Sequence, residues 1–228
     1  RVSDALPVSL QLMLYSQVLA LVVAIPLGVL AAYRAGRVFD RLTNSSAFAV
    51  FAVPNFVLAL LLSYYIGVVW GVLPANDYVY LTDNPVEHIR HMILPTLALG
   101  ASQVAVYMRL LRSDMMATLQ EDFVQMARSK GITNKRVLWR HAFRPSSITL
   151  LTVAGLNVGT LIGGALIVEL IFDLPGMGLA IQEAINTRQY VALQSFVAIV
   201  ALVYVLANFV VDFLYTVIDP RIRHARTA

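Results

Sequence analysis

Apolar runs of twenty residues or more recur along the chain, separated by short polar breaks, and one polar stretch is far too long to be such a break. The runs cover about residues 8–32, 46–72, 92–113, 146–168 and 191–217. A helix that crosses ~30 Å of hydrocarbon needs roughly 20 apolar residues. Backbone groups in lipid must find partners within their own segment, so each run is predicted to be a helix. The expected fold class is all-α, a polytopic membrane helical bundle with five spans, forming one transmembrane domain over residues 1–228.

The long polar stretch, residues 114–145, has a pattern of its own. Phe123, Met126 and Ala127 recur at i, i+3 and i+4, one face of a short amphipathic helix. Glu121 and Asp122 fall in its first turn and Arg128 and Lys130 in its last, as the helix dipole prefers. Gly131 is placed to end it in the left-handed region. Thr133 can cap a second helix through Val137, Leu138 and His141, and Pro145 can open the next span at its first turn. The pattern predicts two short helices joined at a glycine elbow along the inner membrane face. A loop between two spans needs only a few residues, so this stretch reads as a docking device for something in the cytoplasm. The alternative is an amphipathic segment resting on lipid headgroups, with His141 as an interfacial histidine.

Composition agrees with the pattern: 59% of residues are hydrophobic and 13% charged, and the mean hydropathy is +0.73, which excludes a water-soluble domain. Charge sets the orientation. Arg34, Arg37 and Arg41 lie in the first loop, eight basic residues lie from Arg109 to Arg144, and Arg221, Arg223 and Arg226 form the tail; Arg1, Arg90 and Arg188 are the remainder. The positive-inside rule puts the first and third loops and the tail in the cytoplasm, with residues 73–91 and 169–190 outside. The net charge of +4 is therefore a topology signal and not one for nucleic acid. Five spans leave the N-terminus outside, and a chain that begins at Arg1 without an initiator Met is expected to follow an earlier, helical portion. The tail arginines would anchor at anionic lipid. No cysteine is present, so disulfides and thiolate metal sites are excluded.

Within the spans, Pro26, Gly28 and Pro54 predict bends. Gly155, Gly159 and Gly163, four apart, form a stripe that admits close helix approach, either inside the subunit or at the centre of a dimer. Asn157 lies near mid-membrane. No charge sits at the midplane: Glu169 and Asp173 are at the outer edge, Asp212 and the pair Arg109 and Arg112 near the inner one. That argues against an autonomous ion-coupled carrier, which stays as the alternative. No phosphate loop of the form G-x-x-x-x-G-K-[ST] occurs, so any nucleotide is bound by another polypeptide. No constellation of nucleophile, base and metal ligand suggests an enzyme. Outside, Asp173, Pro175, Gly176 and Gly178 with Glu169 make a tight apolar turn, which is either a simple re-entry or an outer gate.

Ala127-Arg128-Ser129-Lys130-Gly131, ten residues before His141, resembles the cytoplasmic loop of binding-protein-dependent ABC importer permeases, closest to the dipeptide, oligopeptide and nickel branch. The likeness extends through Ile25-Pro26-Leu27-Gly28 with Asp40, Val53-Pro54-Asn55-Phe56, Leu73-Pro74-Ala75, His91-Met92-Ile93-Leu94-Pro95, Arg109 with Arg112, Gly163-Gly164 with Val168-Glu169, Leu174-Pro175-Gly176-Met177-Gly178, and Asn208 with Asp212, Tyr215 and Asp219-Pro220-Arg221. Gln125 and Met126 replace the Glu and Ala of the usual loop frame, as in its peptide-type variant. The resemblance implies a type I, MetI-like fold and a permease subunit in the bacterial inner membrane. It implies as partners a second permease, two cytoplasmic ATPases that bind ATP and magnesium, an extracytoplasmic binding protein and a peptide substrate, with nickel or another small solute as the alternative. This chain itself would hold no cofactor or metal. Within a coupling loop that also includes Asp122, Phe123, Met126 and Ala127 would be buried in a groove of the ATPase, Arg128 and Lys130 would lie at its rim, Gly131 would be the elbow, and His141 would pin the second helix.

Overall fold

The computed structural model describes residues 2–218, and every regular element among them is helical. The order is α1 (Val2–Tyr33), α2 (Val38–Ala52), α3 (Asn55–Leu62) running on as a π-helix (Ser63–Val69), α4 (Pro85–Thr118), α5 (Asp122–Ser129) and α6 (Asn134–Arg136). A second π-helix (Val137–Phe143) joins α6 to α7 (Arg144–Leu156), followed by α8 (Val158–Phe172), α9 (Met177–Asn186) and α10 (Tyr190–Ile218). Three helices, Val2–Tyr33, Pro85–Thr118 and Tyr190–Val210, are each long and apolar enough to span a membrane. The second and fourth expected spans are each interrupted, Val38–Ala52 with Asn55–Val69 and Asn134–Leu156 with Val158–Phe172, and count as crossings only as pairs. Asp219, Pro220 and the tail arginines Arg221, Arg223 and Arg226 lie outside the described residues.

Each departure from the expected boundaries has a local cause. Pro54 has φ −58° and ψ 142° and sits at the N-cap of α3. It cannot donate a helical bond, and it pushes Val53 out of the α region, so the second span breaks there. α1 runs uninterrupted through Pro26 and Gly28. The break at Asn157 falls where Gly155 and Asn157 weaken helix propensity. The Asn157 carbonyl accepts the Leu161 N–H (3.1 Å) and the Thr160 hydroxyl (2.8 Å), which starts α8 afresh. The second short helix of the polar stretch is not separate: α6, the π-helix and α7 are continuous. Pro145 would clash with the carbonyl four residues earlier in an α-helix, and the wider π turn just before it relieves that clash.

The chain forms two compact units. The first comprises residues 2–19, 53–101 and 157–209. Its core joins Val8, Leu12 and Met13 of α1, Ala59 of α3, Met92, Leu94, Ala98 and Leu99 of α4, and Leu161, Ala165, Val168 and Phe172 of α8. A smaller cluster holds α9 through Met177 and Ala184 against Ala5 and Phe196. The second unit comprises residues 20–52, 102–156 and 210–218. Its core is rich in small side chains, with Ala20, Ala24, Ala32, Ala47, Ala105, Ala142 and Ala154 packed around Tyr107, Met108, Leu111 and Met115. Small residues let helix backbones approach closely where lipid supplies no hydrophobic drive between helices.

Candidate functional site

In the second unit, α5 begins after Glu121, whose extended φ/ψ of −66° and 146° marks the N-cap. It ends where Lys130 N–H donates to Met126 O (3.1 Å), Gly131 N–H to Arg128 O (2.9 Å) and Ile132 N–H to Ala127 O (3.2 Å). Gly131 has φ +73°, the left-handed residue the pattern called for. Four apolar positions, 123, 124, 126 and 127, span an arc of about 160° at 100° per residue, too wide for one contact. The fold divides it. Val124 (0% exposed) and Ala127 (5%) pack with Val137 in a small core of the loop itself, flanked by Leu119 and Ile132. Phe123 (48%) and Met126 (58%) face outward. Ala127 is thus not on the presented face expected for it: Val137, carried by the continuous helix, reaches it first. Asp122, Arg128 and Lys130 are exposed and His141 is half-buried within the π-helix.

The outer turn lies in the first unit and is built the other way round. α8 ends at Asp173, in the left-handed region at φ +53°, and Leu174 N–H donates to Glu169 O (3.0 Å). Glu169 is fully buried. Its Oε2 accepts the Gly178 N–H (2.7 Å), while its Oε1 has no hydrogen-bond partner among the described residues. Ser9 Oγ accepts the Met177 N–H (2.9 Å), tying α1 to the start of α9. A Cβ on Gly176 would strike the Glu169 carboxyl, and one on Gly178 would strike the Leu166 carbonyl. Glu169, Gly176 and Gly178 are therefore brought together, whereas Asp173 and Pro175 point to the surface.

The glycine stripe does not act as one face. Gly159 packs against the Tyr204 ring, Gly163 has open space around it, and Gly155 lies on the far side of the break at Asn157.

Asp40, Arg109 and Arg112 stand out in the sequence, but nothing there pairs them. Asp40 is 3% exposed. It accepts from Gly36 N–H (2.8 Å), Asn44 Nδ2 (2.7 Å) and Arg112, through Nη2 (2.7 Å) and Nε. The signal available was an acid and a base at the inner ends of successive spans. Arg109 lies over the Phe48 ring, 3.9 Å from its centroid. Buried His88 gave no sequence signal either: its Nδ1 lies 2.7 Å from Val79 O and its Nε2 3.2 Å from the Tyr15 hydroxyl. Beside it, burial together with Tyr15 and Tyr80 pushes the Tyr78 phenol up to about 12, so it stays neutral and donates to Gln11 Oε1 (2.8 Å).

Residues 24–224 match the family described as binding-protein-dependent transport system inner membrane component. The dipeptide transport system permease protein DppB of Escherichia coli (strain K12) is 36% identical over 241 residues, which cover 96% of this chain and 71% of that protein. A putative peptide transport system permease protein of Brucella abortus is also 36% identical, covering 98% of this chain and 71% of its own length. Among solved structures, the inward-facing MetNI methionine ABC transporter superposes with a TM-score of 0.73 over 94% of each chain at 13% identity. An amino acid ABC transporter with histidines gives 0.67 at 16% identity, over 95% of this chain and 92% of that one. These two likenesses establish the fold.

Proposed function

The chain belongs to the family of binding-protein-dependent transport system inner membrane components, and from that premise we propose that it imports peptides through the bacterial inner membrane. It does so as one permease of a pair, with two cytoplasmic ATPases and an extracytoplasmic binding protein. Peptide as cargo is supported by the relatives at 36% identity, which are named as dipeptide and peptide permeases. Hydrolysis of ATP belongs to the partners, and this chain is a conduit and a lever.

The observation that carries the coupling role is the split of α5. One side is pinned to the chain by Val124 and Ala127, and the other presents Phe123 and Met126 to a partner. A helix held on one side and apolar on the other transmits force: motion of whatever grips Phe123 is passed through Val137 into the helix that runs on as α7. Asp122, Arg128 and Lys130 rim that face, where charge contacts are worth little individually. Gly131 closes the helix, and His141 lies one turn beyond Val137. In the outer turn, the exposed Asp173 and Pro175 are available to the binding protein, while Glu169, Gly176 and Gly178 hold the turn's shape.

The test is Phe123→Asp alone and combined with Met126→Asp in the assembled importer. Both side chains are exposed, so abundance and insertion stay normal. Retention of the ATPase and dipeptide uptake are lost, because the ATPase groove would have to bury a charge. Intact retention and uptake would reject α5 as the coupling element. Recovery of a nickel complex in place of peptide from the co-purified binding protein would reject the cargo and leave the coupling role standing.

A further inference from the structure

α4 carries two arginines one turn apart, and the fold uses them differently. Arg112 is neutralised by Asp40, which it meets through two nitrogens. Arg109 has no carboxylate beside it among the described residues; its guanidinium is stacked on Phe48. Stacking covers one face of a guanidinium and leaves its in-plane N–H donors free, which is the arrangement that grips a phosphate or carboxylate through a fork of hydrogen bonds. Arg109 lines a groove of about 520 Å³, inside the range typical of ligand sites, together with Asn44, Phe48, Phe51, Leu110, Arg112 and Ser113. The groove is thus two-ended. Arg109 and Ser113 make a cationic, hydrogen-bonding head beside the Asp40–Arg112 pair, and Phe48, Phe51 and Leu110 make an apolar wall on which Phe48 and Phe51 are exposed.

A free phosphate or sulfate would use only the head and leave the aromatic wall wet. An acyl chain alone would leave a guanidinium uncompensated in an apolar setting, which is costly. A ligand with both parts uses both. The charge asymmetry of the chain puts Arg109 on the cytoplasmic side, where anionic lipid headgroups meet basic pockets between membrane helices. We propose that this groove binds one anionic phospholipid of the inner leaflet, its phosphate on Arg109 and Ser113 and its first acyl carbons along Phe48 and Phe51. The Asp40–Arg112 pair serves the site indirectly. By compensating the neighbouring cation it holds α2 against α4 and leaves Arg109 as the charge that selects an anion.

The experiment is native mass spectrometry of the delipidated, assembled complex titrated with phosphatidylglycerol, and in parallel with phosphatidylcholine. One retained phosphatidylglycerol per copy of this chain is expected, with no such preference for phosphatidylcholine. Arg109→Gln should lower that retention about fivefold, the effect of one basic group at an anionic surface. Arg109→Lys should keep most of it and show that the variant site still folds. Lys135→Gln removes a cation of the same unit outside the groove and should leave retention unchanged. Equal losses for Lys135→Gln and Arg109→Gln would reduce the effect to diffuse surface charge and overturn the proposal. Unchanged retention in Arg109→Gln would overturn it directly. Displacement of the lipid by a dipeptide would also overturn it, by assigning the groove to the transport path. ATPase retention is read on the same spectra, so failure of the coupling proposal is seen separately.

Discussion

α5 and the outer turn both stand out in the sequence, and they are built with opposite polarity. α5 turns its large apolar side chains, Phe123 and Met126, outward and buries only Val124 and Ala127. The outer turn buries the Glu169 carboxylate and wraps backbone around it, leaving Asp173 at the surface. An apolar side chain left exposed on a pinned helix stabilises nothing within the chain, so its use lies with a partner. A buried carboxylate gripped by a backbone N–H serves first to set the local fold. Changes in α5 should therefore cost function at normal abundance, and changes in the turn should cost abundance.

The largest effect should come from a substitution that separates the two faces of α5. Ala127→Asp puts an unpaired charge into the small core with Val124 and Val137, at a cost of about 4 kcal/mol. The loop should open, with faster proteolysis between Glu121 and Ile132 and loss of ATPase binding. Phe123→Asp, four residues earlier, should leave proteolysis at the native rate. Equal protease sensitivity of the two would erase the distinction between the faces.

Glycines in the two regions differ in the same way. Gly178 has no positive φ, but a Cβ there strikes the Leu166 carbonyl; backbone cannot step aside as a flexible side chain can. Gly178→Ala should destabilise by about 2 kcal/mol, the cost of overpacking, and lower the thermal midpoint of the purified complex. Gly131 has φ +73° and nothing within 4 Å of where a Cβ would sit, so only backbone strain opposes substitution. Gly131→Ala should cost about 1 kcal/mol and Gly131→Asn less, since Asn tolerates the left-handed region. Uptake rates would follow that order if the elbow matters for its conformation and not for its size.

What could be read from the sequence follows from which forces are local. Hydrocarbon thickness imposes run length, so the apolar segments announced themselves, and the acid-first, base-last order around Phe123 with a closing glycine located α5 within a residue. Left-handed Gly131 was legible for the same reason. The division of the α5 arc was not, because the partner for Ala127 is Val137, delivered by a helix whose continuity through Pro145 depends on a π turn with no simple sequence mark. The breaks at Pro54 and Asn157 were underestimated, since proline was expected to bend and not to split the second span. Arg112 and Asp40 are 72 residues apart, and only tertiary packing selects that pair over the other basic residues at the inner ends of the spans.

The smallest expected effect sharpens what Glu169 does. Its Oε2 accepts the Gly178 N–H at 2.7 Å, and its Oε1 is buried without a partner among the described residues. A carboxylate charge in that setting would lack a counter-ion, so the role of the side chain is to offer one acceptor and fill the space that Gly176 and Gly178 leave. Glutamine offers the same acceptor in the same volume. Glu169→Gln should change stability by less than about 1 kcal/mol and leave dipeptide uptake within about twofold of the unmodified importer. Glu169→Ala, which strands the Gly178 N–H and opens a cavity, should cost about 3 kcal/mol. If Glu169→Gln abolishes uptake while the complex keeps its thermal midpoint, the carboxyl group acts in transport itself, and the outer turn joins α5 as a functional element.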